Sequence, residues 1–271
     1  MVRSTLPDSH REGGRDVSLT LLSYNIRYGG AGRERQLAEV IRASDADIVL
    51  LQEATLPHVV ERVAADAGMR ACAATRGYSL AFMSRVEIKR HEWLRPRGGR
   101  HPFLEVEPAG AGFSVFGLHL SAVHSNWTER RRMREMRALL SLISLRPSVP
   151  HVLAGDFNTL APGEPLDARL LPPRLRALVW LSGGKVRYQT IQIVLGAGYV
   201  DGFRLKHAEE KGYTFPTWSP HVRLDYVFMP APLIEQLTDC RVVNDDPVFK
   251  EASDHFPLLA RIECPELTYL T

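Results

Sequence analysis

The chain has 271 residues, 45% apolar and 24% charged, with a formal net charge of +3. This balance is that of a globular protein with room for a sizeable core, and the mild positive charge permits a phosphate-rich substrate without requiring one. The three cysteines, Cys72, Cys240 and Cys264, are far apart and odd in number. That excludes a CxxC metal pattern and a disulfide framework, and no apolar run reaches the roughly 18 residues of a membrane span.

Residues 1–16 are polar and charged and read as a loose, flexible tail without an apolar leader core. A cytoplasmic, monomeric protein is therefore expected. The remainder, 17–271, has no internal repeat or linker and reads as one domain. SLTLLSYNI (18–26) predicts a strand carrying Asn25 near its end, and RERQLAEVIRAS a helix with Leu37, Val40 and Ile41 on one face. DIVLLQE predicts a buried strand ending in Gln52 and Glu53. PHVVERVAADAG predicts a second helix, opened by Pro57 and stopped at Gly68.

The middle of the chain predicts short strands at YSLAFMSR, VEIKRHEWL, PFLEVEP and FSVFGLHLS, separated by turn residues. A long helix follows in WTERRRMREMRALLSLISL, with Met133, Met136, Leu139, Leu140 and Ile143 as its apolar stripe. VPHVLAGDF returns to a strand. Residues 160–200 read as a long, proline-rich connection with helical pieces at LRALVWL and YQTIQIVLGAG. The last strands are VRLDYVFM, LTDCRVVN and FPLLARIEC. Strands and helices mix without strict alternation, which favours a layered sandwich with helices outside two mixed sheets.

Polar residues recur where these buried strands end. Asn25 follows LLSY, Glu53 follows VLLQ, His119 interrupts FGLHLS, and Asp156 and Asn158 follow VLAG. Asp225 lies in VRLDYVF, and Asp254 and His255 precede FPLLARI. Such groups are costly to bury unless they face one another or a cation. Acids, amides and imidazoles without cysteine suit Mg²⁺ or Mn²⁺ rather than structural zinc. Together they suit metal-assisted attack of water on a phosphate ester. In extended geometry Asp156 and Asn158 flank Phe157, pointing to one face while Phe157 turns into the core.

The motifs SYN, LQE, GLHLS, GDFN, RLDYVF and SDH, in this order from residue 23 to 255, resemble the endonuclease/exonuclease/phosphatase family. The resemblance implies a deoxyribonuclease I-like α/β/β/α sandwich of two mixed β-sheets flanked by helices. It implies Glu53 as principal metal ligand, with Asn25 and Asp254 on the metal side. Asp156 would activate water, Asn158 hold the phosphate or Asp156, His255 stabilise phosphoryl charge, Asp225 orient His255, and His119 contact phosphate. The substrate implied is a phosphodiester, with nucleic acid favoured. A phosphomonoesterase, a phospholipid or small-molecule phosphodiesterase, and a non-catalytic phosphate-binding module are the alternatives.

Four weaker signals have two readings each. ERRRMREMR (129–137) is a solvated helix face with Glu129 and Glu135 as partners, or a source of phosphate contacts. Within it, Arg132 matches a family arginine that reaches a phosphate or braces the site. RPRGGRHPF (95–103) and the basic 169–187 stretch are connections or walls of a groove. In TFPTW, Trp218 is a core residue or a base-stacking substrate contact.

Overall fold

The computed structural model describes residues 18–264, except 97–100, 123–124, 147–148 and 165, and except all of 172–186 other than 173, 176, 177 and 180. The expected tail (1–16), the Gly-rich part of the 95–103 loop and most of the expected helix at 175–181 lie outside the described residues.

Two six-stranded sheets stack face to face. From edge to edge the first runs β11 (Leu237–Val242), β12 (Leu258–Glu263), β1 (Ser18–Asn25), β2 (Ile48–Gln52), β4 (Ala81–Ser84) and β3 (Ala71–Ala74). The second runs β5 (Ile88–Leu94), β6 (Phe103–Pro108), β7 (Ser114–His119), β8 (His151–Asp156), β10 (Asp225–Pro230) and β9 (Tyr199–Asp201). Each sheet has one parallel pair, β1–β2 and β7–β8, and its other pairs are antiparallel. A parallel pair needs a crossover. Helix α1 (Glu34–Ala43) makes the first and α3 (Asn126–Ser144) the second.

Side chains alternate along each strand, and the alternation builds the layers. Leu19 and Leu21 of β1, Val152 and Ala154 of β8, and Val227 and Met229 of β10 fill the space between the sheets. Leu22 and Tyr24 of β1 turn to the other face, against α1, α2 (Pro57–Asp66) and the short α6 (Val248–Ala252). Leu153 and Phe228 pack outward against α3 and α4 (Gln189–Gly196). Helix, sheet, sheet and helix thus form four layers, the sandwich that the motif resemblance implied. Cys240 and Cys264 are buried between the sheets, and Cys72 is half-buried on β3.

The expected elements stand within a few residues of their spans, and the differences have local causes. Strands β3 and β9 and the five-residue helices α5 (Gly202–Lys206) and α6 are too short to show a period. Strand β10 starts at Asp225 rather than Val222, because the Val222 backbone pairs instead with Phe215. Gly155 has φ 150, and a Cβ there would sit 2.0 Å from the Leu118 carbonyl oxygen, so β8 approaches β7 this closely only with glycine. Among the described residues no helix is long and apolar enough to cross a membrane.

Candidate active site

Parallel pairing aligns strand ends. In register, Asn25 lies opposite Gln52 at the end of β1–β2, and His119 opposite Asp156 at the end of β7–β8. The antiparallel neighbours bring their beginnings to the same edge: Asp225 lies opposite Asp156, and β12 enters beside β1 just after His255. The carboxyl ends of the parallel strands in both sheets therefore share one rim with Asp225 and His255.

Asp156 is buried at the centre of that rim. Its Oδ2 accepts from Asn25 Nδ2 at 3.0 Å and its Oδ1 from the Asn158 backbone N–H at 2.9 Å. Two imidazoles flank it, His119 Nε2 at 3.8 Å and His255 Nε2 at 3.9 Å from Oδ2. Burial pushes the Asp156 pKa up to about 7; the positive charge of His255 opposes the rise and the negative charge of Asp225 adds to it.

The two histidines carry opposite charge preferences. Burial favours neutral His255, but the Asp225 charge and hydrogen bond, with the Asp156 and Asp254 charges, outweigh it and push its pKa up to about 10. Its Nδ1 lies 2.8 Å from Asp225 Oδ2, and its ring rests 4.8 Å from Phe215. His119 is driven the other way, chiefly by burial, and is the neutral ring of the pair. Its Nδ1 meets the Ser79 hydroxyl, which also accepts from the Glu53 backbone N–H.

Glu53 stands on the other side of Asn25, whose Nδ2 lies 3.4 Å from its Oε1. The other oxygen, Oε2, accepts from the Tyr28 N–H at 2.6 Å. Glu53 has φ 58, a left-handed conformation that costs about 1–3 kcal/mol for a residue with a side chain. Bonds from the Gly29 and Thr55 N–H groups to its carbonyl hold it there. Facing it, Arg27, Tyr28, Gly29 and Gly30 all have positive φ. Tyr28 stands 79% exposed beside Glu53, and Arg27 Nε lies 3.4 Å from Asp254 Oδ2.

Two trios of donors offer themselves to a cation. Asp156, Asp225 and His255 bring ligand-type atoms within 4.8 Å of one another. This trio fits poorly, because His255 is held protonated and its Nδ1 is committed to Asp225. Asn25, Glu53 and Asp254 fit better. Glu53 and Asp254 offer carboxylate oxygens at a half-open rim. Asn25 Oδ1 accepts from the Arg27 N–H at 3.0 Å and would turn from it to meet a divalent ion, which would offset the charge of the Glu53 and Asp156 carboxylates around Asn25.

The structure brings Asn25, Glu53, His119, Asp156, Asn158, Asp225, Asp254 and His255 to this one rim. It corrects one detail. The strand ends at Asp156 and Asn158 turns left-handed (φ 52), so the two do not share an extended face. Asn158 instead donates its backbone N–H to Asp156 and its Nδ2 to the Leu120 carbonyl. Phe157 enters the core as expected, edge-on to Tyr226 and Phe228.

Arg132 and Trp218 stand apart from the cluster. Arg132 is 1% exposed and donates to Glu129 and to the Ser121 carbonyl, beneath the loop that follows His119. Trp218 is 65% exposed at the rim and packs edge-on to the Phe215 ring, which in turn rests on His255. Sequence reasoning did not single out Tyr28 or Ser79, and it gave Arg223, which opens the RLDYVF motif, no role. Arg223 makes a bidentate bond to Asp201 and another to Glu164, two residues before Asp225. The run RYGG carried the only local signal, since paired glycines demand unusual backbone.

A double sandwich with acids, amides and two oppositely biased imidazoles at the strand ends is the architecture of a phosphoesterase. The chain belongs to the Endonuclease/Exonuclease/phosphatase family, whose profile matches residues 22–255. A search of the curated proteins by sequence finds no match. Among solved structures, a point variant of the 3′ phosphatase NExo from Neisseria, bound to product DNA hairpin, is similar at 19% identity and a TM-score of 0.68, over 90% of this chain and 99% of the other. An AP endonuclease from Archaeoglobus fulgidus is similar at 18% identity and TM-score 0.65, over 89% and 98% of the two chains. A humanized D. rerio TDP2 carrying 14 mutations gives 18% and 0.63, over 90% and 98%.

Proposed function

We propose that the chain is a divalent-metal-dependent phosphodiesterase acting on nucleic acid. The observation that carries this reading is the Asp156 carboxylate, held by Asn25 and the Asn158 N–H between one neutral and one protonated imidazole. Asp156 takes a proton from the water that attacks phosphorus. A carboxylate with a pKa near 7 is a competent base at neutral pH. His255, kept as imidazolium by Asp225, stabilises the charge that builds on a non-bridging oxygen. His119 stays neutral, and Ser79 fixes its ring so that Nε2 can meet a phosphate oxygen. Asn158 holds Asp156 through its N–H and ties it to Leu120. Asn25, Glu53 and Asp254 would hold Mg²⁺ or Mn²⁺, which supplies charge stabilisation at the phosphate.

Nucleic acid is favoured over lipid by the rim. Exposed Tyr28 and Trp218 offer ring faces for bases near the phosphate position, and the similar NExo structure is bound to a DNA hairpin. Arg132 acts as a positioning residue, bracing Ser121 rather than touching phosphate.

The test is a turnover panel with Mg²⁺, with Mn²⁺ and with EDTA. It includes single- and double-stranded DNA, abasic DNA, RNA, a 3′-phosphorylated oligonucleotide and sphingomyelin. Metal-dependent cleavage of an internal or terminal phosphodiester in nucleic acid is expected. Turnover that survives EDTA defeats the mechanism, and exclusive turnover of the 3′-phosphate or of the lipid replaces the substrate.

A further inference from the structure

Helix α3 carries charge on two opposite sides. Its inner side buries Glu129, Arg132 and Glu135. Glu129 accepts from Arg132, Thr159 and both donors of Thr190, and Glu135 from the N–H and hydroxyl of Ser121. The acids expected to neutralise the basic run are thus spent inward; Glu129 does take an i,i+3 partner, but it is the buried Arg132.

The outer side presents Arg130, Arg131, Arg134 and Arg137, all exposed, with Trp127 79% exposed at its head. Spacings of three and four residues align them in one stripe, about 15 Å long from Trp127 to Arg137. Among the described residues none of these four arginines forms an ion pair; Arg134 Nε donates to the Arg130 carbonyl. Position adds to charge. Strand β7 ends at the catalytic rim with His119, and α3 then runs back to the start of β8. The helix therefore begins at the rim, with Trp127 first, and the arginines lead away from it.

We propose that this stripe is a track for the sugar–phosphate backbone of a nucleic acid strand extending beyond the scissile phosphate; this rests on the nucleic-acid reading above. Four unneutralised guanidinium groups in line complement a line of phosphates, and Trp127 offers a stacking face where the strand leaves the rim. A membrane surface fits less well. An interfacial helix buries an apolar face in lipid, whereas among the described residues no large exposed apolar side chain lies between Trp127 and Leu145, and Met136 and Leu139 are sealed in the core.

The test is the full-length variant R130Q/R131Q/R134Q/R137Q, with the matching fourfold Arg→Lys variant. The probes are fluorescein-labelled DNA of ~30 nucleotides, single-stranded and duplex, read in EDTA, together with bis(p-nitrophenyl) phosphate turnover and phosphatidylglycerol vesicles. The Gln variant is expected to keep turnover of the small diester within twofold. It should bind DNA at least tenfold more weakly at ~0.1 M salt, with the slope of log K against log salt shallower by about 2–3. The Lys variant should restore most of both. DNA affinity and salt slope unchanged in the Gln variant overturn the track and leave the substrate reading standing. A proportional loss of small-diester turnover that the Lys variant also shows overturns it too, because the four side chains would then be supporting the fold rather than a bound strand. A wild-type protein that turns over the small diester but binds vesicles and no DNA overturns both.

Discussion

Asp225 lies directly across the β8–β10 ladder from Asp156, and His255 bridges them, with Nδ1 2.8 Å from Asp225 and Nε2 3.9 Å from Asp156. One strand register therefore sets two acids on either side of one imidazole. The acid bonded to the ring fixes its charge, and burial pushes the pKa of the other up to about 7.

The charge of His255 gives a pH prediction. Its folded pKa of about 10 lies above the ordinary value, so its interactions stabilise the fold fully below about pH 6.5 and are lost as pH rises through 10. Activity that needs the imidazolium falls over the same alkaline range. Asp225→Asn removes the largest stabiliser of the charge, so the alkaline limb of the pH–rate profile should move to lower pH. An alkaline limb unmoved in D225N would show that another group sets it.

Asp156→Asn keeps the shape of the side chain and removes its basicity. Turnover should fall by about 10²–10⁴, the range for loss of a general base. Thermal stability should hold or rise, because the variant no longer buries an acid whose ionised form is disfavoured. A melting curve beside a rate assay separates the two effects; a variant with near-normal turnover sinks the assignment.

Metal binding can be read without turnover. Glu53→Gln keeps the bond from the Tyr28 N–H but loses the carboxylate charge. Mn²⁺ affinity by calorimetry should weaken at least about tenfold. His255→Gln, by contrast, should bind Mn²⁺ within a few-fold of wild type. The reverse order would move the ion to the Asp156–Asp225–His255 trio.

Arg223 is a buried cation held by two acids. Arg223→Met leaves Asp201 and Glu164 without their counter-charge and should cost about 3–5 kcal/mol in urea unfolding. The double change R223M/D201N should recover part of that loss; no recovery would place the energy elsewhere, for example in packing on Tyr226.

Gly155→Ala forces a methyl group against the Leu118 carbonyl. The expected loss is about 3 kcal/mol of stability, with Asp156, the next residue, displaced and turnover reduced at any temperature where the variant remains folded. A wild-type melting temperature in G155A would show that β7 and β8 can separate freely.

Much of the site was legible because polar residues that end buried strands are costly and therefore informative. Asn25, Glu53, His119, Asp156 and Asp225 each stand at the end or start of an apolar run, and the ordered motifs tied them together. Arg132 was not legible as an inward residue. In ERRRMREMR three adjacent arginines differ by only about 100° steps around the helix, and composition does not say which one the core accepts. The pairing of Arg223 with Asp201, 22 residues away, was not legible for a related reason, since no local pattern names so distant a partner.

By itself the sequence determined which segments become buried strands and where each one stops, because alternation and apolar runs are local consequences of a pleated backbone in contact with a core. Only the tertiary structure decided which of those ends meet. Asn25 and Asp156 are 131 residues apart and belong to different sheets. Their 3.0 Å bond exists because two independent parallel pairs, stacked through one apolar layer, deliver their carboxyl ends to the same edge.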